Sequence, residues 1–267
     1  MQLEGNEIFV GSETVDMIDR VYTWIGEYDS IPQRYEVYNA RFAPEFIYNT
    51  VAMEDGDATL PAAAEIFARG RVSCYSGKVS TLRALDGMRT AWVESQRYVS
   101  RRRPLNVPDI QRFHALIVTG DPAVQAQEVP GAPGCMRLPS SEPCPGCDPI
   151  KVPGLVNEML MRAIEIEFDQ DATPAELFMM SCYLHGNLMD WRPFGTADGK
   201  LARFVQNVYL MRCAMPPVVV PVSERYDYFR VLDYYHESGD LVGLFHFLAH
   251  CYEMTWRDEV TRAGYSF

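Results

Sequence analysis

The sequence has no surplus of basic side chains. Its 267 residues carry 24 Lys and Arg against 36 Asp and Glu, a formal net charge of −12. A protein that tracks a phosphate backbone needs the opposite balance, so a general nucleic-acid binder is excluded and any anion site must be local. Long apolar runs are missing as well. The most apolar stretch, Val218 to Val222, is short and set among prolines. A spanning helix needs roughly 20 apolar residues, so no membrane partner is expected. The first ten residues, MQLEGNEIFV, contain no basic residue and do not read as a signal peptide. The seven cysteines are odd in number and mostly sit singly inside apolar segments. That usage suits a reducing compartment, and the expected location is the cytoplasm. There is no internal repeat and no convincing run of alternating, strand-like residues. What is present is 48 % hydrophobic and 22 % charged, enough apolar material for a sizeable core.

Helical periodicity organises that material. Val15, Ile18, Val21, Tyr22 and Ile25 recur at three- and four-residue steps, which predicts a helix opened near Ser12 or Thr14. Others are expected from Glu45 to Met53, from Pro61 to a stop at Gly70, and along Ile110, Phe113, His114 and Ile117 to a stop at Gly120. Residues 120–153 are rich in proline and glycine and predict an irregular excursion or short hairpin. Leu155, Met159, Ala163 and Ile166 then fit one helical face. Thr173-Pro174-Ala175-Glu176 is a helix start, with Thr as cap, Pro in the first turn and Glu three residues on. After a break at Trp191 to Gly195, helices are expected over Gly199–Met211, Glu224–His236 and Leu241–Trp256. The predicted fold is all-α, an irregular insertion interrupting a helical domain.

One segment concentrates chemistry. In RPFGTADGKLAR, residues 192–203, a small glycine-bearing loop runs into a helix that carries Lys200 and Arg203 in its first turn. Free N–H groups and the dipole make such a helix start an anion site, and the two cations add full charges. It is not a P-loop, because the glycine spacing is short and Leu follows the Lys. The alternative is a helix end capped by Asp198 with solvated basic residues.

That segment resembles a degenerate Fic motif, the signature of the Fic/Doc (Fido) superfamily: His-Pro-Phe, a variable residue, Asp or Glu, Gly or Ala, Asn, Gly, Arg, two variable residues, Arg. Pro193, Phe194, Ala197, Gly199 and Arg203 match, and Lys200 is conservative. Arg192 stands where the family has His, Thr196 where it has a carboxylate and Asp198 where it has Asn. The surroundings are similar too. His185 precedes Arg192 by seven residues, and ARFVQNVYLMRCAMPPVVV resembles the helix and Pro-Pro run after the motif. RFHALIVTG followed by GCMR resembles the family's upstream helix with its His and the Gly-x-Tyr-Arg segment. FIYNTVAMEDGDATL resembles the family's N-terminal inhibitory helix, with Thr50 and Glu54 matching and Asp55 departing.

The resemblance implies a Fic-like bundle with a small β-hairpin flap over 138–153 that docks target chains. Residues 1–60 would form N-terminal helices holding the inhibitory segment, and 61–267 the core of one continuous domain. It implies a nucleotide or other phosphate-bearing ligand at Thr196, Gly199, Lys200 and Arg203, and a protein segment as a second partner at the flap. Thr50 and Glu54 would be regulatory, with Glu54 bridged to Arg203. Arginine stays protonated, so Arg192 cannot replace the family's general base, and ordinary AMP transfer is not expected. Asp190, Asp198 and His185 are the nearby groups that would substitute. The carboxylate that holds Mg²⁺ in the family is lost at Thr196, with Asp198 as a possible replacement. The expectation is a divergent transferase, with a non-catalytic binding protein or an enzyme of another reaction type as alternatives.

Two further clusters have metal-like spacing. Cys144-Pro145-Gly146-Cys147 is a knuckle and Cys135 lies near it; a zinc site would need a fourth ligand, and the alternative is a pair of loop thiols. His246 and His250 sit four apart on a predicted helix within an apolar run and read as core or interface histidines.

Overall fold

The computed structural model describes residues 11–101, 103–124, 132–137 and 147–266, and the backbone alone of 2–3 and 6–7. Its helices are α1 (Ser12–Gly26), α2 (Ile31–Val37), α3 (Ala43–Ala52), α4 (Leu60–Arg69), α5 (Val79–Arg101), α6 (Val107–Thr119), α7 (Val152–Glu167), α8 (Pro174–Trp191), α9 (Asp198–Arg212), α10 (Arg225–Ser238) and α11 (Val242–Arg262). A π-helical turn, Tyr38–Phe42, joins α2 to α3 without a break. The strand pair among the described residues is β1 (Gln2–Leu3) with β2 (Asn6–Glu7), antiparallel and two residues each. The fold is all-α, as the periodicity predicts. The expected flap falls largely on 138–146, outside the described residues; 147–151 turn directly into α7.

Helices α8 and α9 are the centre. They pack on each other more extensively than any other pair, α8 also touching α1, α7, α10 and α11, and α9 touching α3, α5 and α6. Both are buried on nearly every side, as expected of helices with apolar residues all round. An aromatic cluster of Trp24, Tyr38, Phe42, Phe46, Trp92 and Trp256 joins α1, the π turn, α3, α5 and α11. The extended run after α9 is stitched down by polar bonds. Asn207 Nδ2 donates to Val218 O (2.9 Å) and accepts at Oδ1 from Val218 N (2.7 Å), and Trp256 Nε1 donates to Pro217 O (2.6 Å).

The longest helix, α5, escapes periodicity reading. Its buried stripe includes Thr81, Gly87, Thr90, Ala91 and Ser95 beside Leu85, Met88 and Trp92, so small residues do the packing where large apolar ones would signal a helix. Gly87 shows why. A Cβ there would lie 2.1 Å from Ile117 O, so α6 crosses with its backbone against α5.

Local start signals behave as their chemistry requires. Thr173 Oγ1 accepts from Glu176 N (3.3 Å) and Glu176 Oε2 accepts from Thr173 N (2.9 Å), a complete capping box that opens α8. Thr173→Ala removes one half of it and leaves an amide unsatisfied. We expect a loss of about 1 kcal/mol in urea denaturation; an unchanged midpoint would show that the box contributes nothing.

Candidate functional site

The site forms where α8 stops and α9 starts. Arg192 ends α8 in the left-handed region (φ 47°) and Ala197 enters α9 in the same region (φ 55°), so the chain reverses within a few residues. Above that reversal lies a cleft of about 450 Å³ lined by Arg192, Asp198, Gly199 and Arg203, with α10 as its apolar wall through Phe229, Leu232 and Tyr235. Asp190 and His236 form an ion pair at its edge.

Glu54 reaches into the first turn of α9. Its Oε1 is 3.0 Å from Arg203 Nη2, and Oε2 pairs with Lys200 Nζ. Burial alone would raise the Glu54 carboxyl, but the charges of Arg203 and Lys200 and their hydrogen bonds outweigh it and hold the pKa below its ordinary value. A Cβ on Gly199 would lie 2.7 Å from Glu54 Oε1, so only glycine lets the carboxylate settle on the helix start. Arg203, 2 % exposed, also donates to Thr50 O (3.1 Å) and Tyr228 Oη (3.1 Å). Thr50 thus contributes its backbone carbonyl. The carboxylate of this chain's own Glu54 fills the position that a helix N-terminus flanked by two cations offers to an anion.

The other expected residues divide. Arg192 lines the cleft, and its guanidinium has no ion-pair partner among the described residues. It is not tied to Asp190, which pairs with His236 instead. Asp198 lines the cleft but is buried: Oδ1 accepts from Phe194 N (2.9 Å), and Oδ2 has no hydrogen-bond partner among the described residues. Burial pushes its pKa up to about 7, against the lowering effect of the Phe194 N–H and the Arg192 charge.

Two expectations need correction. Thr196 is exposed and does not line the cleft; its backbone oxygen is instead bound by His114 Nε2 at 3.0 Å. His185 is fully buried behind the cleft, with Nδ1 2.6 Å from Gln206 Oε1 and Nε2 2.8 Å from Tyr228 Oη. Burial lowers its pKa to about 3. The neutral ring donates from Nδ1 to Gln206 and accepts from the Tyr228 hydroxyl, so it has no access to a bound ligand. The seven-residue spacing misleads because Arg192 leaves the helix at positive φ and no longer shares a helical face with His185.

The metal expectations find little support. For Mg²⁺, Thr196 points away and Asp198 offers one uncommitted oxygen on a buried carboxyl that holds its proton to near neutrality; these residues do not fit the ion. Of the cysteines, Cys144 lies outside the described residues, Cys135 is buried with Sγ donating to Met136 O (3.3 Å), and Cys147 is half-buried. Among the described residues no group of three His, Cys, Asp or Glu side chains is placed to hold a metal. His246 and His250 are exposed rather than core residues, beside Glu13, Asp16 and Glu253 in a separate recess.

Two residues that matter to this loop were not read as site residues. Arg137, from GCMR, and His114, from RFHALIVTG, hold it from beneath. Their place in the family-like order was the available signal.

Comparison with solved structures defines the class. The fold is similar to that of Fic-1 from C. elegans (TM-score 0.68, 21 % identity, covering 94 % of this chain and 73 % of that one). It is similar also to a Fic-domain signalling protein from Bacteroides thetaiotaomicron (TM-score 0.70, 16 % identity, covering 95 % and 98 %). The architecture is that of a Fic domain. In sequence, the chain is 22 % identical over 222 residues to the protein adenylyltransferase Fic of Drosophila persimilis. It is 35 % identical over 71 residues, 27 % of this chain, to that of Nematostella vectensis. No protein-family model matches it. The chain is a member of the Fic/Doc (Fido) superfamily. The match to the Drosophila persimilis protein takes in 79 % of this chain but 39 % of that longer relative. Among the described residues no helix is long and apolar enough to cross a membrane.

The Asp198 carboxyl links stability to pH. Its native pKa of about 7 lies above the ordinary 3.8, so between those values the folded chain binds more protons than the unfolded one and stability falls as pH rises. Asp198→Asn keeps the Phe194 contact without the charge. We expect the variant to match the wild type near pH 4 and to exceed it at pH 8 by on the order of 2–4 kcal/mol in denaturant titrations. Parallel pH profiles would refute the buried-acid assignment.

Proposed function

We propose that this chain is a divergent Fic-type transferase whose cleft takes a nucleotide or other phosphate-bearing ligand, and that ordinary AMP transfer is lost. The observation that carries the reading is the unpaired Arg192 guanidinium lining the cleft where the family places its base. A guanidinium does not accept a proton at any working pH, but it binds an anionic group or stabilises charge developing in a reaction. The curated relatives are named protein adenylyltransferases, which supports a protein as the acceptor, docking on the 138–153 side of the cleft.

Glu54 supports an autoinhibited ground state. It spends the charges of Lys200 and Arg203 internally, so a ligand phosphate reaches the α9 start only when Glu54 leaves. The alternative, a non-catalytic Fic-fold binding protein, is favoured by a different observation: none of the three substitute bases is free. His185 is buried, Asp190 is paired with His236, and Asp198 holds its proton to near neutrality.

Incubation with labelled ATP and a cell lysate should label no protein, and clear labelling would overturn the claim about AMP transfer. In calorimetric titrations with ADP and ATP, Arg192→Ala should weaken binding at least tenfold, the scale of one charge-assisted contact of about 1.5–3 kcal/mol. Equal affinity of wild type and variant would leave Arg192 without a ligand role. Glu54→Gly should tighten ATP by a similar factor while lowering the melting temperature. A lower melting temperature with unchanged affinity would reduce Glu54 to a tether between α3 and α9.

A further inference from the structure

We infer that Arg137 is a positioning residue, which fixes the backbone at the end of α8 so that Arg192 is aimed into the cleft. Its guanidinium is 7 % exposed and binds carbonyls only: Nε donates to Arg192 O (2.7 Å), and Nη2 to Trp191 O (2.9 Å) and Cys147 O (2.7 Å). Its backbone N–H donates to Pro193 O (2.8 Å). Three consecutive carbonyls, those of residues 191, 192 and 193, are therefore held by one residue.

This is an unusual use of a buried cation. No carboxylate lies within ion-pair distance of Arg137 among the described residues. Burying a guanidinium without a counter-ion is costly. The compensation is the C-terminal end of α8, where unsatisfied carbonyls carry the negative end of the helix dipole. The fork shape of the guanidinium, which an ammonium lacks, lets it reach neighbouring carbonyls together.

The need for such a clamp is visible in Arg192. A residue with a Cβ at φ 47° is disfavoured and persists only where its surroundings over-determine it. Glycine would adopt that backbone freely but would supply no guanidinium. The far end of the loop is fixed independently by His114. Its Nδ1 accepts from Gly134 N (3.0 Å), its Nε2 donates to Thr196 O (3.0 Å), and its ring stacks on Phe194 with centroids 4.0 Å apart. With Thr196 held by His114, Arg137 governs the end that bears Arg192.

The ligand arm of the test rests on the phosphate reading above; a second arm does not. Arg137→Lys keeps the charge and removes the fork. All variants carry Glu54→Gly to open the cleft, and the full chain is titrated with ADP. We expect Arg137→Lys to weaken ADP at least tenfold when Arg192 is present and to cost nothing further when Arg192 is already Ala. A general loss of structure would cost the same in both backgrounds, and that result would overturn the assignment. Amide hydrogen exchange is followed in parallel. The amides of Phe194 and Gly195, bonded to Asp198 Oδ1 and Arg192 O, should exchange at least tenfold faster in Arg137→Lys, while the interiors of α8 and α9 stay unchanged. Unchanged exchange at those two amides would overturn the assignment regardless of ligand. If ADP binds no variant but the amides are released, the phosphate reading fails and the positioning role stands.

Discussion

The structure depends on one buried cation, Arg203. Its guanidinium touches α3 through Thr50, the residue after that helix through Glu54, and α10 through Tyr228. From Tyr228 the polar contacts continue through the core. The phenol gives its proton to His185, His185 gives its own to Gln206, and Gln206 reaches Ser181. Every member from Tyr228 inward is buried, so the chain of bonds has one consistent direction and no water to replace a lost partner. Removing the cation at its head would strand a carboxylate, a carbonyl and a phenol together. The cleft is therefore an outcrop of the core's own polar wiring rather than an addition to its surface.

This explains the division of labour among the cleft's cations. An acidic protein with a net charge of −12 repels anions at long range. Attraction must come from a few oriented groups, and here two of them, Lys200 and Arg203, are already satisfied within the chain. Arg192 alone faces the cleft uncommitted, on a backbone turn that two other residues hold in place.

Much of this was legible in the amino-acid sequence, and the failures have causes. Helix starts with Thr173 and Asn106 follow from local hydrogen bonding, and the 192–203 segment stood out because glycine, lysine and arginine at a helix start have few uses. The Glu54–Arg203 pair came from order along the chain, since no local rule joins residues 149 positions apart. What misled was geometry that a linear pattern does not carry. The left-handed turn at Arg192 rotates His185 out of reach, a small-residue stripe hides α5, and His246 and His250 point outward from a helix whose other side supplies the apolar run. Arg137 was unreadable as a functional residue because its partners are carbonyls, which every residue has.

The π-helical turn at Tyr38–Phe42 has a consequence for how this segment tolerates length change. In that turn Ala43 N bonds to Tyr38 O, five residues back, so it holds one residue more than an α-helical turn would. Deleting any one residue there would let the helix close into a regular α register without breaking a bond. Everything after it would then swing by about 100° around the axis and retract by about 1.5 Å. Trp92, whose indole is anchored on Asn39, would lose its acceptor, and Thr50 and Glu54 would face away from α9. A single codon lost at this turn, neutral for helix content, would disconnect the carboxylate from the cation it silences.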